Sequence, residues 1–306
     1  MTATAPVDVE LCVVPYDSAL LETRMGAGPR RLVTGGLPER LREHGHATRI
    51  NEIAPPDDGL RTEIGTAFAL NRRLASTVAN ARGRGAFTIT LAGNCNSAVG
   101  TVAGTLMEAD STAVGVLWFD AHGDFNTPES TIGGFLDGMA LAMLTGRCWT
   151  RMTADVPGFA PVDEASVILV GGRDLDPDEA ELLSSSAIVQ LGVDDPLSRF
   201  ATAVDALARR VARLYVHVDL DVLDASEGLA NSYAGGVGLT LSSLLACIEI
   251  AASRIPLAAA ALTAYDPAFD HTGSICRAAI AVAERCATLA SRRWSDASDP
   301  QSSLIR

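Results

Sequence analysis

One stretch of the chain, Trp118-Phe119-Asp120-Ala121-His122-Gly123-Asp124-Phe125-Asn126-Thr127-Pro128, sets two carboxylates and an imidazole at alternate positions. If the backbone there is extended, all three side chains point to one side, because side chains alternate with a period of two. Two carboxylates and an imidazole converging on one point suit a hard or borderline divalent cation. A polar loop with helix caps is the plainer reading of Asp-x-His-x-Asp taken alone. Against it stands a second run, Asp219-Leu220-Asp221-Val222-Leu223-Asp224. So many carboxylates brought together repel one another unless a cation lies among them.

Both runs follow apolar segments, Val114 to Phe119 and Leu214 to Val218, that read as buried strands. The carboxyl ends of parallel strands are where α/β sheets build their sites. Further strands are expected at 7–14, 47–53, 87–91, 167–170, 187–191 and 257–262. Helices are expected over 30–44, 60–82, after Ser97 to about Glu108, and over 136–144. Others should run from Pro177 and over 196–210, 241–253 and 273–290. His44 and His46 read as solvent-side residues near the end of the first helix, and Asp57 or Asp58 as a cap for the second. The alternation implies a single three-layer αβα sandwich over 1–306, its core spanning about 7–290 around an eight-stranded, mostly parallel sheet. Residues 291–306 read as a polar, loosely held tail.

Bulk composition narrows the partners. The 306 residues are 48% hydrophobic and 20% charged, as in an ordinary globular chain. A net charge of −13 argues against nucleic acid and against an anionic membrane. The first residues lack the basic and apolar regions of a signal peptide, and no apolar run reaches membrane-spanning length. The six cysteines are dispersed, without a CxxC pair, as expected of free thiols in a reducing cytosol.

The two acidic runs, about a hundred residues apart and each ending a strand, resemble those of the ureohydrolases, the arginase, agmatinase and formimidoylglutamase superfamily. Gly28-Pro29, Gly93-Asn94-Cys95-Asn96-Ser97 and Arg173-Asp174-Leu175-Asp176-Pro177-Asp178-Glu179 extend the likeness over nearly the whole chain. The resemblance implies an arginase-like fold and two divalent cations, Mn²⁺ by preference. By position, Asp120 and Asp219 would bridge both metals, Asp124 would hold the first, and His122 and Asp221 the second. Bridging carboxylates hold such cations ~3.5–4 Å apart, and a hydroxide shared between them is a nucleophile near neutral pH. Asp224 resembles a structural member of its run. Asn126, Thr131 and Asp176 stand where a substrate's amino-acid head would be held. Asn126 could equally be a turn residue, and Asp176 an N-cap. His217 reads as a packed histidine or as a support for the metal ligands.

Three positions depart from the family pattern. Cys95 stands where the run Gly-Gly-Asp-His-Ser places a metal-binding His, and a thiolate is a soft donor that Mn²⁺ does not favour. It is expected either to ligate or to lie buried behind a site that keeps one metal. Asp137 takes the place of a proton-shuttling His, and as a carboxyl of raised pKa it could move protons or pair with a cationic substrate, or it could merely cap the helix that starts there. Ala264 occupies the slot of a Glu set against the guanidinium. Losing a buried charge partner costs about 2–5 kcal/mol in binding, so arginine itself is disfavoured unless Asp137, Tyr265 or Asp266 compensates.

The expected activity is therefore hydrolysis of a linear, non-peptide C–N bond of the amidine or guanidine type. The substrate would be a small molecule with an amino-acid head, such as an N-hydroxyarginine-like compound, with Asp137 protonating the leaving amine. Agmatinase-like or formimidoylglutamase-like hydrolysis is an alternative, and so is a metal-binding relative without turnover. The protein is expected to be cytoplasmic and homo-oligomeric.

Overall fold

A computed structural model describes residues 6–56, 62–107 and 114–297. The strands are β1 (Val9–Val14), β2 (Tyr16–Asp17), β3 (Leu20–Leu21), β4 (Thr48–Glu52), β5 (Phe87–Ala92), β6 (Val114–Phe119), β7 (Val167–Val170), β8 (Val189–Leu191), β9 (Arg213–Asp219) and β10 (Leu257–Thr263). Eight of them form one sheet in the order β4-β1-β5-β10-β9-β6-β7-β8, and every pairing in it is parallel. The remaining two, β2 and β3, make a small antiparallel hairpin. The β1, β5 and β6 strands are buried at every position, as a sheet covered on both faces requires.

Alternate side chains feed two separate cores. From β6, Val114, Val116 and Trp118 enter one, while Leu117 and Phe119 enter the other. The helices are α1 (Gly28–Thr34), α2 (Leu37–Glu43), α3 (Glu63–Gly83), α4 (Ala98–Leu106), α5 (Ala140–Leu144), α6 (Thr150–Ala154), α7 (Pro177–Ser184), α8 (Leu197–Leu207), α9 (Leu241–Arg254) and α10 (Ser274–Ala297). Side chains of α3, α4 and α5 line the Trp118 core; those of α1, α2, α8, α9 and α10 line the Phe119 core. This is the three-layer arrangement expected.

Four local expectations change. The helix expected over 30–44 is two helices, α1 and α2, parted at Gly35-Gly36. His46 is not on the solvent side: it is buried, with Nδ1 3.0 Å from the Val7 carbonyl, because the chain has already turned inward to β4. His44 does stay outside, 3.2 Å from Glu284. The expected caps Asp57 and Asp58 lie outside the described residues; Thr62 caps α3, its hydroxyl accepting from the Gly65 N–H. Lastly, α10 continues to Ala297, and its buried Ser291 accepts from the Val7 N–H, so helix extends into the segment expected to be a loose tail. Among the described residues no helix is long and apolar enough to cross a membrane. All six cysteines are free and buried.

Candidate functional site

Four strands that are neighbours in the sheet, β5, β10, β9 and β6, deliver the candidate residues at their carboxyl ends. Cys95 follows β5, Thr263 ends β10 with Ala264 just after it, Asp219 ends β9, and Asp120 follows β6. The same device closes both acidic runs. Asp120 Oδ1 accepts from the His122 N–H at 2.8 Å, and Asp219 Oδ1 accepts from the Asp221 N–H at 2.9 Å. An Asp bonded to the backbone two residues on makes a tight turn, which directs the third residue of each run back toward the first. The extended backbone expected through Asp124 is not what forms. Asp124 adopts φ +49°, and its carbonyl accepts from the N–H groups of Leu141 and Ala142 at the start of α5. A left-handed turn, rather than strand alternation, brings its carboxylate into the site.

Asp120, Asp124, Asp219 and Asp221 are all buried. His122 Nδ1 lies 3.3 Å from Asp120 Oδ1 and 3.4 Å from Asp221 Oδ2. Burial by itself would lower the imidazole's pKa, but its bonds to these two carboxylates raise it to about 12. Asp221, also bonded by the Ala121 N–H, is held below the usual carboxylate range despite its burial. Burial and neighbouring acids instead push Asp124 and Asp219 well above it. Asp124 Oδ2 is a buried oxygen with no hydrogen-bond partner.

On the other side, the Cys95 thiol donates to Asp219 Oδ2 at 3.1 Å and lies 3.1 Å from Thr263 Oγ1. Burial, with Asp219 next in effect, raises its pKa well above the ordinary thiol value. Behind it His217 stacks flat on Trp118, with centroids 3.6 Å apart, between Tyr215 Oη at 2.9 Å and Thr263 Oγ1 at 3.2 Å. Burial lowers the His217 pKa to about 3, so the ring is neutral. The Trp118 indole N–H donates to Asp120 Oδ2.

A divalent cation fits this donor set on two counts: a buried carboxylate oxygen lacks a partner, and four buried acids face one imidazole. Asp120, His122 and Asp221 each offer a ligand atom within 4.8 Å of the others; so do Cys95, Asp120 and His217. Hard oxygens with imidazole suit Mn²⁺, whereas sulfur draws the second group toward softer ions.

Above the acids opens a cavity of about 270 Å³ lined by His122, Asp124, Asp219 and Asp221 together with Asn126, Thr131, Asp137 and Asp176. All three expected head-group residues therefore face one space with the acid cluster. Asn126 Nδ2 donates to Asp176 Oδ2 at 3.1 Å, and Asn126 Oδ1 accepts from the Ser130 hydroxyl. Asp176 is also the N-cap residue of α7, so capping and cavity roles coincide. Thr131 Oγ1 accepts from the Gly134 N–H. Asp137 is buried and accepts from Asn94 Nδ2 and from the Asn96 N–H; burial, partly offset by those bonds, moves its pKa up to about 7.

Ala264 lines the cavity at φ +58°, its carbonyl accepting from Asn231 Nδ2. A Cβ on Gly28 would come 2.0 Å from the neighbouring Tyr265 carbonyl, so only glycine lets α1 approach this strand end. Tyr265 and Asp266 do not line the cavity. Tyr265 Oη donates to Asp270, and Asp266 Oδ1 accepts from the Ala268 N–H. Of the three groups that could compensate for Ala264, only Asp137 faces the cavity.

Sequence reasoning missed several lining residues. Glu179 fixes the loop, accepting from the Phe125 and Asp176 N–H groups; its place in Asp-Pro-Asp-Glu at a helix start was the available signal. Tyr233 packs on Phe135 at 6.0 Å and edge-on to His122 at 6.3 Å, and nothing in its local sequence announces this.

A parallel eight-stranded sheet that gathers carboxylates at its strand ends is the ureohydrolase architecture. The chain belongs to the arginase family, whose sequence model matches residues 7–289. It is 27% identical over 293 residues to the arginase of Bacillus subtilis, covering 91% of this chain and 97% of that one. With the arginase of Bacillus caldovelox it is 29% identical over 299 residues, covering 90% and 96%. The solved structure of the Bacillus caldovelox arginase superposes with a TM-score of 0.80 at 25% identity, covering 92% of this chain and 98% of that one. An agmatine ureohydrolase of Thermoplasma volcanium shares the fold at a TM-score of 0.69 and 17% identity, over 95% of this chain and 92% of that one. At the level of the family, the chemistry is hydrolysis of linear amidine C–N bonds.

Proposed function

We propose that the protein hydrolyses the C–N bond of an amidine or guanidine group less basic than that of arginine, carried on an amino-acid-like molecule. An N-hydroxyarginine-like compound is the leading candidate. The observation that carries this reading is the cavity wall. Ala264 supplies no carboxylate and Tyr265 and Asp266 bond elsewhere, which leaves Asp137, with a pKa near 7, as the one compensating acid in the cavity, so a strongly basic guanidinium lacks the ionised partner that the family pattern provides at position 264.

Divalent cations, Mn²⁺ first among them, would be held by Asp120, His122, Asp124, Asp219 and Asp221, with Cys95 beside them. Bound there, they supply the positive charge that activates water and steadies charge developing at the trigonal carbon. The chain's own residues do the remainder. Asn126, Thr131 and Asp176 hold the polar head, and Phe135 and Tyr233 cover the cavity's rim. Asp137, with a pKa near 7, gives a proton to the departing amine.

The Cys95 S–H bond to Asp219 favours a second reading, in which the metal site on that side is weakened and turnover is lost. Metal analysis after Mn²⁺ loading separates the two. It is followed by ammonia and urea assays on arginine, N-hydroxyarginine, agmatine and formimidoylglutamate. At least one metal per chain with preferential turnover of N-hydroxyarginine supports the hydrolase. Less than one metal and no turnover of any candidate sinks it.

A further inference from the structure

We infer that Asn94 is a positioning residue for Asp137: its side-chain amide, fixed by the hairpin of residues 16–24, aims the Asp137 carboxylate into the cavity. The inference rests on the proton-handling role proposed for Asp137. Asn94 Nδ2 donates to Asp137 Oδ2 at 2.8 Å, and the Asn96 N–H donates to Oδ1 at 3.0 Å, so both carboxylate oxygens are gripped from one short segment. Asn94 Oδ1 in turn accepts from the Ser18 N–H at 3.0 Å, which decides which end of the amide faces Asp137. Its Nδ2 also lies 3.4 Å from Asp17 Oδ1. Asp17 is fully buried and paired with Arg24, whose Nε and Nη2 lie 2.9 and 3.1 Å from its two oxygens.

The hairpin reaches this position at a conformational cost. Ser18, Ala19, Glu22 and Arg24 have φ of 47, 68, 51 and 47°, a region non-glycine residues rarely occupy. Such strain persists only where the surroundings over-determine it, and it gathers at functional sites. A Cβ on Gly93 would come 2.3 Å from the Tyr16 carbonyl, so the strand end beneath the hairpin has been kept bare for its approach.

Charge explains the residue type. An Asp at position 94 would bring a third carboxylate between Asp17 and Asp137, with Arg24 alone to balance them. An amide of the same shape donates to one neighbour and accepts from the other. The run that Gly93–Ser97 resembles has Asp at this place, and the loop that holds Asp137 resembles one that has a His there. The direct contact between the two positions ties these departures together: with a carboxylate at 137, an amide is required at 94.

The test uses Mn²⁺-loaded protein and five variants: Asn94→Ala, Asp137→Asn, the combination of these two, Asn94→Asp alone, and the exchange Asn94→Asp with Asp137→Asn. Asn94→Ala is expected to lower kcat roughly 10- to 100-fold with KM changed less than about threefold. In the Asp137→Asn background it should lower kcat less than about twofold further, because residues acting as one unit are non-additive. Multiplicative effects, or a folded Asn94→Ala protein with unchanged kcat, overturn the inference. Melting curves supply the readout that needs no substrate. Asn94→Asp alone should lower the melting temperature, and the exchange should recover the part of the loss owed to Asp137, since it restores one donor and one acceptor between these two positions while the new carboxylate at position 94 still faces Asp17. If the wild type turns over no candidate substrate, the proposed function fails. The melting curves still decide whether Asn94 holds Asp137: recovery supports it, and an exchange no more stable than Asn94→Asp alone overturns it.

Discussion

On one side of the carboxylate cluster, His122 lies 3.3 Å from Asp120 and 3.4 Å from Asp221; on the other, Cys95 bonds Asp219 at 3.1 Å while Asp124 keeps an oxygen with no partner. Both sides are buried at adjoining strand ends. They differ in what faces the acids: an imidazole can carry a positive charge, whereas a neutral thiol offers one weak hydrogen bond. Asp221 is accordingly held below the usual carboxylate range, whereas burial raises Asp120 in spite of its bond to the imidazole and pushes Asp124 and Asp219 well above that range. A bound cation therefore matters most on the side where the protein supplies least charge of its own.

The largest effect should come from making the balanced side resemble the other. His122→Ala leaves Asp120 and Asp221 facing each other without a counter-charge. The expected result is a loss of about 3 kcal/mol in the metal-free protein, the usual scale for breaking a buried pair, and Mn²⁺ binding too weak to survive gel filtration. Calorimetric unfolding and metal analysis check it. Asp137→Asn comes next, with kcat expected to fall about 10²- to 10⁴-fold while KM stays nearly constant; steady-state kinetics on the best substrate reads the split. The converse change, Cys95→His, places an imidazole on the weak side. It should tighten Mn²⁺ binding there by about 10- to 100-fold, seen as a second binding step in a calorimetric titration. No second step would show that position 95 is not a ligand position.

A pH series on metal-free protein sharpens the same contrast. Asp137 has a folded-state pKa of about 7, raised from 3.8 by burial, so the folded state binds the proton more tightly than the unfolded chain does. Its stabilising contribution is full below pH 3.8 and is lost as pH rises toward 7. His122, raised from 6.5 to about 12, contributes fully below pH 6.5 and loses that contribution only as pH rises toward 12. Melting temperatures of chelator-treated protein should therefore fall between pH 4 and 7, and Asp137→Asn should flatten part of that slope. The smallest effect is expected from Tyr233→Ala at the cavity rim. It removes an aromatic contact of about 0.5–1.5 kcal/mol, roughly two- to twelvefold in KM.

The sequence displayed the scaffold of this site better than its geometry. Apolar runs ending in Asp120 and Asp219 marked two strands and the end of the sheet where they open, because burial and alternation leave a local trace. The left-handed turns at Asp124 and Ala264 left none: Ala rarely enters that region, and Asp, though it does so more readily than most residues, adopts it too seldom for its presence to be a signal. His46 and the Asn94 network were hidden for another reason. Their partners, Val7 for the one and Ser18 and Asp137 for the other, are contributed by distant segments of the chain. Asn126, Thr131 and Asp176 could be placed only through resemblance, and the fold does bring all three to one cavity.

The strand order has a consequence for how the site comes into being. The β5 and β6 strands are neighbours among the sheet strands along the chain, yet in the sheet they are separated by β10 and β9, which arrive from residues 213–263. A chain emerging from the ribosome with Cys95, Asp120, His122 and Asp124 already made still lacks Asp219 and Asp221. Half a site of this kind offers little to a cation, and non-local closure is slow. Folding of the last third must therefore press the two sets of carboxylates together against their repulsion, so a divalent cation added during refolding should speed the final step and leave the earlier collapse unchanged.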